Sequence, residues 1–414
     1  MTGSGVDSDE HRDSLNPATG EVIGSFAMGG PKEAQAAIDA AKRACGDLGW
    51  RTDRLVRARV LNRMADRFEE RADDLVELLG LENGKTHDQG RLELAFAPET
   101  LRFSAALALT DTGTNSQVSA GELSLVVRQP VGVAGIIAPW NSPVALGIRS
   151  LGPALAAGCT AVMNLPRQTA QTNSLIAELV GEADELSAGV ANTITGGHVT
   201  GDVLVRSPDV PTVSFTGSTA TGKEIMATAS ASLKRVGLEL GGKTPLILFP
   251  DADLDQALSI VVSALIVFSG QFCMTGSRLL VHESIADRVR SALATLLEAV
   301  KVGPASDPGS QMGPIIDKPN VRRIDKIVDD ATADGSKVIV RGGPVTDGPL
   351  AAGAFYRPTL LEVHDNSLPI VQDEVFEEGG FKGSGVGRMR GFAVIDDFIE
   401  FKHIRLRPGV TGSG

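Results

Sequence analysis

Cysteine is scarce in this 414-residue chain: Cys45, Cys159 and Cys273 are odd in number and far apart. With no CxxC or Cys/His pattern, neither a disulfide framework nor a zinc site is expected. The six histidines form no HxH or HExxH motif. Long apolar runs are also missing. The longest, Ala257 to Phe268, contains two serines and falls short of the ~20 residues a bilayer-spanning helix needs, so it reads as a buried helix. Positive charge is in deficit, with a formal net charge of −12, which argues against nucleic acid or an anionic membrane as partner. No internal repeat or low-complexity segment is present. The polar, acidic N-terminal stretch and the C-terminal TGSG carry no targeting signal, and a cytoplasmic protein is expected.

What remains is globular composition, with 42% hydrophobic residues, at a length that favours two or three domains. Lys32 to Ala44 and Arg54 to Leu79 repeat apolar residues every three or four positions, the pattern of amphipathic helices. Leu123 to Arg128 reads as a strand. Val131 to Ala138 is nearly all apolar, as in a strand buried on both faces of a parallel sheet. Helical patterns then alternate with Ala161–Met163, Ala191–Thr195, Thr212–Phe215 and Pro245–Phe249, the rhythm of a doubly wound α/β sheet. Leu279–Val281, a helix over Ile285–Val300 and Lys337–Val340 form a second α/β stretch.

Four constellations carry chemistry. From Val213 to Lys223 a strand meets a helix through Gly217, Ser218 and Gly222, a turn that lets backbone N–H groups approach a pyrophosphate or that is a plain strand-to-helix connection. Cys273 lies among glycines and polar residues at the end of an apolar helix, as a nucleophilic thiol would, or is an ordinary buried cysteine. Cys45 and Cys159 read as small buried hydrophobes. Glu239 precedes a double glycine 34 residues before Cys273, where a mobile backbone suits a general base, or is an ordinary loop acid. Trp140 and Asn141 follow the buried strand between two prolines, where an amide can donate to an oxyanion or cap the next helix.

Taken together, the order and wording of APWNSP, FTGSTATG, LELGGKTP, GQFCMTGSR, DEVF and FKGSGVGR resemble the aldehyde dehydrogenase superfamily from about Leu15 to Ile404. The resemblance implies two doubly wound α/β domains plus a small bridging β element that joins subunits into a homodimer or homotetramer. The expected boundaries are 1–109 with 131–241 for the dinucleotide-binding domain, 242–385 for the catalytic domain, and 110–130 with 396–414 for the oligomerisation element.

It also implies an NAD- or NADP-dependent oxidation of an aldehyde through a cysteine thioester. Cys273 would be nucleophile, Asn141 oxyanion donor and Glu239 base. Gly217 and Ser218, with Gly222 and Trp140, would serve the cofactor site, and Glu374 and Phe376 the nicotinamide ribose and ring. The partner is a small aldehyde.

Two departures stand out. Asn164 and Arg167 replace the family's usual ribose-facing lysine and glutamate, and an arginine there suits the 2′-phosphate of NADP or points to solvent. After Phe376, several tens of family residues are missing before Gly380, so the catalytic domain reads as internally shortened. Two alternatives follow: a non-catalytic relative acting as a binding or assembly partner, or a cofactor-independent thiol esterase.

Overall fold

The computed structural model describes residues 8–376, 384–387 and 391–406; the junction residues Glu377 and Gly380 lie outside them. The chain opens with an antiparallel hairpin, β1 (His11–Leu15) and β2 (Val22–Ala27). Helix α1 (Pro31–Cys45) starts on a proline, with Glu33 folding back to accept from Gly30 N, and buries Ala34, Ile38 and Ala41. This i, i+4, i+7 stripe is the periodicity seen in the sequence. After the short α2 (Leu48–Thr52), the expected Arg54–Leu79 helix is two, α3 (Arg54–Glu70) and α4 (Ala72–Leu78), broken at Arg71. A π-helical turn over Leu79–Asn83 ends on left-handed Gly84, and α5 (His87–Thr110) follows.

Strands β3 (Thr114–Ser119) and β4 (Glu122–Pro130) lead into the main sheet. There β5 (Val133–Ile137), β6 (Thr160–Pro166), β7 (Ala191–Gly196), β8 (Thr212–Gly217) and β9 (Arg235–Leu240) alternate with α6 (Pro143–Ala157), α7 (Ala170–Gly181), α8 (His198–Arg206) and α9 (Thr219–Ala229). All five strands are parallel, in the order β9-β8-β5-β6-β7. Because β5 and β8 are spatial neighbours whose connections leave in opposite directions, a crevice opens between their carboxyl ends, where doubly wound folds bind ligands. Every residue of β5 and β6 is buried except Ile137 and Pro166, which are half-buried.

The second α/β unit is smaller. Strands β10 (Pro245–Leu248) and β11 (Arg278–Val281) form a parallel pair, joined by α10 (Leu254–Ile266) and followed by α11 (Ala286–Glu298) and α12 (Lys318–Ala333). Strand β12 (Lys337–Val340) pairs with β15 (Leu360–Glu362), and β13 (Gly343–Pro344) pairs with β14 (Tyr356–Arg357), both antiparallel, before the one-turn α13 (Pro369–Gln372). Leu248, Leu258, Val261, Val289, Leu293 and Leu297 form its core. The opposite face of the pair is bare: Ile247 and Leu280 stand side by side in register, 58% and 46% exposed, with Phe249 beyond them. The apolar run expected to be a buried helix is buried on one face: in α10, Leu258, Val261 and Ile266 are buried and Leu254, Ala257, Val262 and Leu265 pack partly buried against the same core, while Ile260 is exposed.

Strand β16 (Gly385–Val386) adds an antiparallel edge to β9, and β17 (Ile399–Leu406) pairs with β4 to complete a three-stranded sheet, β17-β4-β3. Among the described residues no helix is long and apolar enough to cross a membrane.

Candidate functional site

The crevice between β5 and β8 is a cleft of about 860 Å3 lined by Trp140, Asn164, Arg167, Gly217 and Thr221 among others. A Cβ on Gly217 would sit 2.6 Å from the Phe215 ring of the same strand, and one on Gly222 would sit 2.6 Å from the Leu240 side chain, so the glycine at 222 lets α9 lie close against β9. Ser218 caps α9, its hydroxyl accepting from Thr221 N at 3.2 Å. The positive end of α9 therefore faces the cleft. Asn164 is buried in the cleft wall, and its amide donates to Gly197 O at 3.2 Å. Arg167 stands exposed at the mouth with no ion-pair partner among the described residues, whereas the neighbouring cations Arg12 and Arg206 are paired with Glu10 and Asp202.

Cys273 follows three consecutive left-handed residues, Phe268 (φ 50°), Ser269 (φ 59°) and Gly270 (φ 76°). Two are not glycine, a conformation costing ~1–3 kcal/mol each unless the surroundings impose it. They do. Ser269 Oγ donates to Gly313 O at 3.0 Å, Ile316 N donates to Gln271 Oε1 at 2.9 Å, and Gln271 Nε2 donates to Phe268 O at 3.1 Å. Asn141 Nδ2 donates to Gln271 O at 3.0 Å, so the end of β5 is tied to the loop two residues before the half-buried Cys273. The other cysteines are unlike it. Cys159 is fully buried, and burial pushes its thiol up to about 12; burial also raises Cys45, which is half-buried.

Asn141 does not cap α6. That role falls to Glu93, whose Oε1 accepts from Val144 N at 2.9 Å and Ala145 N at 3.2 Å. The other oxygen of Glu93 meets Lys85 Nζ at 3.0 Å in a fully buried ion pair. Lys85 also donates to Asn83 Oδ1 and to the carbonyl of Asn141, and Asn83 Nδ2 donates to Trp140 O at 2.7 Å. Glu82, on the same turn, accepts from Gln171 N and Thr172 N, both at 2.9 Å, at the start of α7. Sequence reasoning passed over all four residues. The available signal was Glu93, which falls on the stripe of buried Gly90, Leu94, Ala97 and Leu101 in α5.

Glu239 is half-buried on β9 rather than in a loop, opposite Gly385. Burial raises its carboxyl above the usual range, and the Arg149 guanidinium, itself donating to Thr216 Oγ1 at 3.0 Å, opposes this. Glu374 is turned toward the double glycine and accepts from Gly242 N at 2.9 Å. Beside it, burial lowers the Lys243 ammonium to about 8, with Glu374 acting in the opposite sense. Phe376 packs edge-on against Trp140, ring centroids 5.2 Å apart, and Arg323 holds the Val375 and Phe376 carbonyls at 2.8 and 3.0 Å. Phe376 lines not the cleft between β5 and β8 but a second cavity of about 660 Å3 alongside β11, walled by Val261, Leu265, Leu279, Leu293 and Ile324. Trp140 borders both.

The chain is similar to known proteins over nearly its whole length. The sequence profile of the Aldehyde dehydrogenase family matches residues 6–378. Betaine aldehyde dehydrogenase of Bacillus subtilis (strain 168) is 35% identical over 375 residues, covering 90% of this chain and 76% of that protein. A succinate-semialdehyde dehydrogenase [NADP(+)] of Schizosaccharomyces pombe is 35% identical, covering 87% and 73%. Among solved structures, a betaine aldehyde dehydrogenase point mutant from Staphylococcus aureus, in complex with NAD+ and with a modified cysteine, superposes with a TM-score of 0.94 at 30% identity, covering 99% of this chain and 96% of its own.

Proposed function

The chain belongs to the aldehyde dehydrogenase family, and from that premise we propose that Cys273, Asn141 and Glu239 carry the oxidation of an aldehyde to a carboxylic acid with NAD or NADP. The observation that supports this assignment best is the hydrogen bond from Asn141 Nδ2 to Gln271 O. It couples the carboxyl end of β5, where the cleft opens, to the loop that presents the thiol. An amide has two N–H groups, so one can hold the loop while the other is directed to an oxyanion.

Cys273 Sγ, as thiolate, forms a C–S bond to the aldehyde carbon, and the carbonyl oxygen becomes an oxyanion held by the Asn141 amide and the Cys273 backbone N–H. The dinucleotide, when bound, supplies the hydride acceptor. Gly217 and the amino end of α9 suit its pyrophosphate, and Asn164 and Arg167 its adenosine ribose. Glu239 takes a proton from the water that hydrolyses the Cys273 thioester, and its raised carboxyl makes it a better base near neutral pH than an ordinary glutamate. The unpaired Arg167 at the cleft mouth favours a 2′-phosphate, hence NADP.

We further assign residues 1–109 and 131–241 to the dinucleotide-binding domain and 242–385 to the catalytic domain. The β3, β4 and β17 sheet is the element through which copies of the chain join.

The test is Cys273→Ala. Aldehyde-dependent NAD(P)H formation and ester hydrolysis should both vanish with melting unchanged, and turnover within about threefold of the parent would overturn the assignment.

A further inference from the structure

We propose that Lys85, with Glu93 as counter-ion, is a positioning residue that fixes the Asn141 amide and the Cys273 loop relative to one another. This rests on the reading of Asn141 given above. The ammonium of Lys85 donates to Asn83 Oδ1 and to the Asn141 carbonyl, and Glu93 Oε2 lies 3.0 Å away as its counter-ion. The same ammonium lies 4.5 Å from the centroid of the Phe268 ring, the first left-handed residue of the loop leading to Cys273. Asn83 fixes the Trp140 carbonyl, and the second oxygen of Glu93 holds the first amides of α6.

One buried ion pair therefore touches both segments that bear the reacting groups. Stability alone does not call for it, because a buried ion pair is commonly matched or bettered by uncharged residues of the same volume. What uncharged residues would lose is the donor that orients the Asn141 peptide.

The experiment uses Lys85→Met/Glu93→Gln, which removes both charges together while Gln keeps an acceptor for Val144 N and Ala145 N. We expect melting close to that of the parent, kcat for NAD(P)H formation lowered by about tenfold or more, and KM for the dinucleotide unchanged. Placed on Asn141→Ala, the same double change should cost no more than about twofold, since it acts through the missing side chain. If the double variant keeps kcat within about twofold while Asn141→Ala lowers it, the pair is only structural and the inference fails, the oxyanion reading standing. If Asn141→Ala leaves kcat unchanged, the oxyanion reading fails and takes the inference with it. Should the double variant not fold, Asn83→Ala leaves the ion pair in place but removes the partner that orients the ammonium. It should lower kcat with the dinucleotide KM constant, and an unchanged kcat would overturn the proposal.

Discussion

The two parallel sheets of this chain differ in completeness. Strands β5 to β9 have helices on both faces, and β5 and β6 are buried almost throughout. Among the described residues the β10–β11 pair has helices on one face only, and its burial alternates, with Ile247 and Leu280 facing outward. Parallel strands are normally covered on both sides, so apolar residues on a bare face mark a missing cover. The break in family resemblance after Phe376 gives it a place. The family match ends at residue 378, and the sequence match to the B. subtilis relative accounts for 76% of that protein. We propose that a segment inserted after Phe376 would cover β11.

The most drastic way to break this contrast is to supply the cover. Inserting the corresponding αβ segment of a relative between Phe376 and Glu377 would bury on the order of 400 Å2 of apolar surface, roughly 10 kcal/mol at ~25 cal/mol per Å2. A large rise in melting temperature and in turnover is expected. If the parent chain already melts as cooperatively and works as fast, the segment is dispensable.

A matched pair of substitutions sharpens the contrast at intermediate cost. Ile136→Ala, in the centre of β5 where the side chain is 1% exposed, should lose ~2–5 kcal/mol by urea titration. Ile247→Thr should change stability by less than ~0.5 kcal/mol while reducing light scattering on concentration, because it interrupts the bare apolar face. A comparable loss from both would mean the second sheet is covered after all.

The smallest effect isolates the first unit. Arg167→Glu should weaken NADP binding by about tenfold, ~1.4 kcal/mol, by calorimetry, without moving the melting temperature. An unchanged affinity would show that the guanidinium does not reach the cofactor.

Apolar runs made the first sheet legible. Val131–Ala138 became β5, and Ala191–Thr195 and Thr212–Phe215 fell within β7 and β8. Where burial is partial the sequence was less explicit. Glu239 reads as a loop acid because a double glycine follows it, yet it lies in β9, where only Gly237 and Leu238 are buried. The break at Arg71 has no proline or glycine to announce it, and the charge pattern runs straight through. Lys85 and Glu93 were passed over because an isolated Lys or Glu is nearly always solvated, and only tertiary structure brings the π-turn against α5.

The indole positions have a practical consequence. The chain holds two tryptophans: Trp50 is sealed in the first unit, donating to Cys159 O at 3.0 Å, while Trp140 stands between the two cavities against Phe376. Intrinsic emission therefore divides into an inner reporter that responds only when the core opens and a boundary reporter that senses whatever enters either side. With Trp50 replaced by Phe, the remaining fluorescence becomes a label-free readout of cofactor arrival and of the state of the thinly covered half of the molecule.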